Sequence, residues 1–322
     1  MRRSPIDPFL LAIIAAAVIG TLLPVQGWGV DAFEWLINVA IFALFFLFGT
    51  RLSPAETLAG LKNWRLHLTI LGFTYVLFPL LGLAIRFLAP ELLSPGLLLG
   101  IVFLTLVPST VQSSVAFTSI AKGNVAAAVV SASASNILGV FLTPLLTFLV
   151  LSSEHFTISA AAVLDIALQI FAPFVLGQLL RRWTAKWVLA HPQTKLVDRG
   201  VVVLVVYSAF ASGMREGIWT QVTWVEILIV IALALALLGI MLPLTWYLAR
   251  RLGFSIADAI AIQFCGTKKS LATGLPMAGV LFAGTPVGLV ILPLVIFHQA
   301  QLMACATLAA RYAKREDAKS PG

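Results

Sequence analysis

Residues 264–274 read FCGTKKSLATG. SIADAIAIQ precedes them and LPMAGVLF follows, so two adjacent lysines lie inside an apolar run of roughly 28 residues, over 255–282. Each lysine at the centre of a bilayer-spanning helix costs roughly 2.5–3.5 kcal/mol. A glycine and small hydroxyl residues flank the pair, and Gly266 is a poor helix former. The stretch therefore reads as a span interrupted near the midplane. Irregular backbone at that depth persists only where protein buries it or where it lines a cavity.

The rest of the chain agrees with a lipid setting. The 322 residues are 60% hydrophobic and 11% charged, and the mean hydropathy is +1.03. So few charges do not cover a soluble fold of this size. About 20 apolar residues are needed per span. Ten segments qualify or nearly so: 8–24, 31–50, 66–88, 95–121, 124–151, 159–180, 198–214, 224–249, 255–282 and 287–311. The opening MRRSPIDPFLLAIIAAAVIG is expected to stay as the first span, because no small-residue cleavage site before a polar stretch follows it. With both termini inside, 17 of the 21 Lys and Arg residues fall on the cytoplasmic side. Arg86 and Arg215 fall outside, and Lys268 and Lys269 stay in the membrane. This bias orients the chain in the cell (inner) membrane, and it leaves no basic patch for nucleic acid. Cys265 and Cys305, both in apolar segments, make neither a disulfide framework nor a zinc site.

Ten spans divide into 1–152 and 153–322, five each, and an odd number per half inverts the second half. FPLLGLAIR (78–86) echoes LPLTWYLAR (242–250), which matches Pro79 with Pro243 and Arg86 with Arg250. TPLLTFLV (143–150) echoes LPLVIFHQ (292–299). The predicted fold is all-α and integral to the membrane, with two inverted five-helix repeats. Spans 4 and 9 correspond in it. Span 4 carries VPSTVQSS (107–114), where Pro108 removes a backbone donor. Matched breaks in the two halves point to a transporter's binding site.

VPSTVQSSVAFTSIAKGNVAAA (107–128) resembles the crossing-helix segment of the bile acid:sodium symporter family, solute carrier family 10, and CGTKKSLATG (265–274) stands where its second crossing segment lies. The likeness is to the divergent branch that includes the seventh vertebrate member. It implies a panel domain of spans 1, 2, 6 and 7, and a core domain of spans 3–5 and 8–10 in which the broken spans cross. It also implies substrate between the domains and sodium ions in the core beside the crossing. The leading reading is transport of a small organic anion by alternating access with no cofactor. A buried lysine makes a proton the other candidate coupling ion. Sodium oxygens would come from Ser113, Ser114 and Ser131. Family members carry an acid and a glutamine–asparagine pair in span 9, where this chain has QFCGTKKS, so the acid aligns with Gln263 or Cys265.

The residues assigned to the site are Pro108, Ser109, Thr110, Gln112, Ser113 and Ser114 in span 4, and Ser131, Ser135 and Asn136 in span 5. Span 9 adds Gln263, Thr267, Lys268, Lys269 and Ser270, and span 6 adds Asp165. Three roles compete for the lysines. One is a built-in cation in place of sodium, preferred for Lys268, donating to Thr110, Gln112, Ser113, Ser114 or span 5 oxygens. Another is an anion site, helped by half-helix N-termini. The last is an ion pair with Asp165. Adjacent helical residues point about 100° apart, which allows the two lysines separate tasks. His298, Gln299, Gln301, Gln169 and Pro173 are assigned to interhelical packing and hydrogen bonds.

An enzyme is disfavoured, since no HExxH or GxSxG motif and no pair of intramembrane aspartates occurs. A cation channel is disfavoured by the twin lysines. The alternative to transport is a membrane regulatory protein that acts on ion homeostasis without moving solute. The charge count predicts that a reporter fluorescent only in the cytoplasm lights up when fused to the C-terminus. A reporter active only in the periplasm stays dark there, and the reverse pattern would sink the topology.

Overall fold

The computed structural model describes residues 8–51, 63–88, 91–151, 167–215, 217 and 222–315. They form helices: α1 Pro8–Leu22, α2 Gly29–Arg51, α3 Trp64–Leu88, α4 Pro95–Leu106, α5 Gln112–Ile120 and α6 Val125–Leu151. A π-turn over Ala167–Phe171 leads into α7 Ala172–Leu179, followed by α8 Arg181–Ala190 and α9 Thr194–Arg215. Then come α10 Trp224–Arg251, α11 Ile256–Thr267, α12 Leu271–Leu281 and α13 Val287–Tyr312. No strand occurs among the described residues. Six helices are long and apolar enough to cross a membrane by length and composition: α2, α3, α6, α9, α10 and α13. Shorter apolar helices lie at Leu11–Leu22, Pro95–Leu106 and Leu168–Leu179. The architecture is that of a multi-pass membrane protein, with the bilayer satisfied by internally bonded helices.

α8 was not among the predicted spans. It carries Arg181, Arg182 and Lys186 beside exposed Trp183 and Trp187. Such a short basic and aromatic helix suits the membrane surface.

The chain divides into two compact units. The first takes its described residues from Met1–Leu52, Ser153–Thr223 and Leu275–Ile291. α2 and α7 pack there at backbone distance. A Cβ on Gly49 would lie 2.1 Å from the Phe174 carbonyl oxygen, and one on Gly177 would lie 2.1 Å from that of Phe46. The close approach lets Gln178 Nε2 donate to Gly49 O at 2.7 Å and Thr50 Oγ1 to Gly177 O at 3.4 Å. Small residues at helix contacts serve membrane proteins in this way, because packing replaces the hydrophobic drive that lipid removes. Arg51 closes the end of α2, with its guanidinium 2.7 Å from Asp198 and a further bond to Thr194 O.

The second unit takes its described residues from Ser53–Ser152, Trp224–Gly274 and Leu292–Gly322. Its buried aromatic residues include Phe78, Phe103, Phe264 and Phe297. α3 is not a plain α-helix. Phe73–Leu77 form a π-turn that ends two residues before Pro79, and the Phe78 N–H bonds back to Phe73 O. The broken α4/α5 and α11/α12 segments both begin in this unit.

Gly177→Ala is expected to lower the stability of the detergent-purified protein by roughly 1–3 kcal/mol through overpacking. Gly239→Ala, where a Cβ meets nothing within 4 Å, is expected to leave the melting temperature unchanged or raise it slightly. Equal melting temperatures for the two variants would contradict this packing.

Candidate functional site: the crossing of two broken helices

Both breaks are present, and they touch. α4 ends at Leu106, Val107 is extended (φ −75°, ψ 155°), and α5 begins at Gln112. α11 runs through Gly266 and ends at Thr267. Gly266 is therefore not the breaker the sequence suggested. A Cβ there would come within 3.1 Å of the Phe73 ring, so the glycine admits a neighbour. The interruption is Lys268–Ser270, with Lys268 extended (φ −89°, ψ 149°). Ser270 N donates to Pro108 O at 2.7 Å, which joins one break to the other by a backbone hydrogen bond. Ser109 Oγ donates to Cys265 O at 2.6 Å and Ser114 Oγ to Phe264 O at 3.3 Å.

A break leaves carbonyl and N–H groups without helical partners, and in lipid each must find one. α6 supplies several. Ser109 N donates to Ser135 Oγ at 3.0 Å, and Thr143 Oγ1 donates to Leu106 O at 2.9 Å. Asn136 Nδ2 donates to Ser109 O at 2.6 Å, while its Oδ1 accepts from Thr273 Oγ1 at 2.7 Å. Asn136 thus ties α6 to both breaks. α13 supplies Gln301, whose Oε1 accepts from Lys269 N and whose Nε2 donates to Lys269 O, each at 2.8 Å.

The two lysines part company. Lys268 is extended and 268–270 lie outside both helices, so the 100° spacing of a helix does not apply, and the two ammonium groups reach different surroundings. Both are fully buried. Lys269 Nζ donates to Thr105 O at 2.7 Å and to Thr74 O and Val107 O at 2.9 Å, with the Phe78 ring centroid 4.3 Å away. Lys268 Nζ has no hydrogen-bond partner and sits 4.0 Å from the Phe117 ring centroid. The hydrogen bonding expected of Lys268 is therefore made by Lys269. The acceptors are main-chain carbonyls, not the hydroxyls of span 4.

The remaining site residues are placed as follows. Thr110 Oγ1 and Ser113 Oγ pair at 3.0 Å, and Ser131 Oγ pairs with His67 Nδ1 at 2.6 Å. The three sodium oxygens implied by the resemblance, of Ser113, Ser114 and Ser131, each hydrogen-bond to a different partner. Gln263 donates to Leu242 O and accepts from Tyr312 OH, on a groove of about 580 Å3 also lined by Trp246 and Arg311. Thr267 Oγ1 meets Thr245 Oγ1 at 3.1 Å. Gln112 is exposed and outside the network. Asp165 lies outside the described residues. Thr74, Thr143 and Thr273 were missed. Only Thr273 left a trace in the sequence, as a hydroxyl three residues beyond Ser270, where it completes a cap.

Comparison with known proteins agrees with the resemblance. Residues 7–314 match the SBF-like CPA transporter family. An uncharacterized protein of Pseudomonas aeruginosa is 51% identical over 97% of this chain and 94% of its own. YfeH of Escherichia coli, named as a candidate symporter, is 45% identical over 97% and 94%. Sodium/bile acid cotransporter 7 of the mouse is 30% identical over 96% and 93%.

Asn136→Ala is expected to strand Ser109 O and the Thr273 hydroxyl, and to destabilise the purified protein by roughly 1–3 kcal/mol. Thermal unfolding reads the loss. A variant as stable as wild type would mean that these bonds do not hold the crossing.

Proposed function

The chain belongs to the SBF-like CPA transporter family, a family of transporters and not of enzymes, and we propose that it carries a small organic anion by alternating access through the crossing. The observation that carries this reading is Lys268, a buried side chain with no hydrogen-bond partner. α5 and α12 both begin at the crossing, and their N-terminal ends add partial positive charge. An anionic group has there a charge to meet and backbone donors to accept from.

The ten-span inverted repeat is the frame for this reading. It is supported by two breaks built alike, a 12-residue half-helix before each and a shorter one of 9 or 11 residues after. The division into two units supports the panel and core arrangement. The excess of cytoplasmic cations supports an inner-membrane orientation with both termini inside. Sodium is the ion in the name of the mouse relative, and a proton is the other candidate for coupling.

Purified protein in liposomes, offered a panel of labelled organic anions, is expected to accumulate at least one above protein-free vesicles. Lys268→Ala is expected to cut that uptake by about 10- to 100-fold, the scale of one lost charged contact. Vesicles that move no anion would favour the regulatory reading. Undiminished uptake by the variant would remove Lys268 from the site.

A further inference from the structure

Three carbonyl oxygens at the crossing have lost their helical donors, each for its own reason. In the π-register of α3 the Phe78 N–H returns to Phe73 O, so the next donor in line, for Thr74 O, would be residue 79. That residue is proline and has none. Thr105 O would take the Ser109 N–H in a continuing helix, but that N–H is turned to Ser135. Val107 is extended and lies beyond the end of α4. The three oxygens converge on one point, with the face of Phe78 beside them.

Main-chain carbonyls freed from a helix and aimed at one point form a ligand set for a hard monovalent cation, and an aromatic face adds to it. The occupant is Lys269 Nζ. An ammonium has three N–H groups, and each has an acceptor within 2.9 Å. No carboxylate pairs with it among the described residues. Its own N–H and C=O are both held by Gln301, so the charge is delivered from a fixed stretch of backbone.

We infer that Lys269 is a tethered cation. It fills, as part of the chain, a monovalent-cation site made by the carbonyls of Thr74, Thr105 and Val107, and the crossing is closed without a free alkali ion. The inference bears on the ion requirement of the proposed transport site. It rests on that reading only for its meaning in transport, not for its geometry.

The test is thermal unfolding of the full-length protein in detergent, in sodium, potassium and choline chloride at matched ionic strength. Wild type is expected to melt at one temperature in all three. Lys269→Ala and Lys269→Met are expected to melt lower. Sodium or ethylammonium, titrated against choline, is expected to raise them saturably by several degrees, with ethylammonium the better fit where the side-chain stem has been removed. A saturable sodium stabilisation of wild type overturns the inference, whatever the variants do. So does cooperative melting of both variants at the wild-type temperature, and so does a lowered temperature that no small cation raises. The liposome assay separates the two readings. Anion flux by a sodium-stabilised wild type removes the tethered cation and leaves transport. Cation-responsive variants of a protein that moves no solute do the opposite.

Discussion

A helix interrupted inside a bilayer exposes peptide groups that water cannot reach. Each unpaired one costs as much as a good hydrogen bond gives. The second unit meets this constraint. α6 contributes Ser135, Asn136 and Thr143, α13 contributes Gln301, and the other break contributes Ser270 N–H and the carbonyl of Cys265. Most of the polar side chains buried near the crossing serve the backbone rather than one another. Remove the breaks and these residues lose their purpose. Keep the breaks and nearly every one is needed.

The same constraint explains why two neighbouring lysines differ. Lys269 Nζ is surrounded by main-chain oxygens. Lys268 Nζ meets an aromatic face and no hydrogen-bond acceptor. A positive charge held by carbonyls is part of the scaffold, whereas a buried positive charge without an acceptor is a place where something else can bind. Two consecutive residues thus meet different surroundings at the interruption between α11 and α12.

Much of this was readable in the sequence. Pro108 among hydroxyl residues marked the first break, and the twin lysines marked the second. Apolar length and the side preference of cations gave the membrane setting. What stayed hidden has physical causes. Gly266 looked like the breaker because helix propensity is a local prior. Its actual constraint is a phenyl ring from α3, distant in sequence. The π-turn at Phe73–Leu77 has no compositional mark beyond Pro79, so the carbonyl of Thr74 could not be foreseen as a ligand. A helix continued through the pair would set the two lysines about 100° apart, and the extended backbone at Lys268 leaves no mark in the sequence. The partner each hydroxyl takes is fixed by rotamer and neighbour, as with Ser131 and His67, and a motif carries neither.

The burial of both cysteines has a practical side. Cys265 and Cys305 are the chain's only thiols, and both are fully enclosed. A thiol introduced on an exposed helix face would therefore stand alone before a water-soluble maleimide. Spectroscopic labels for distance measurement can be placed in pairs on the natural background, with no need first to strip sulfur from beside the crossing.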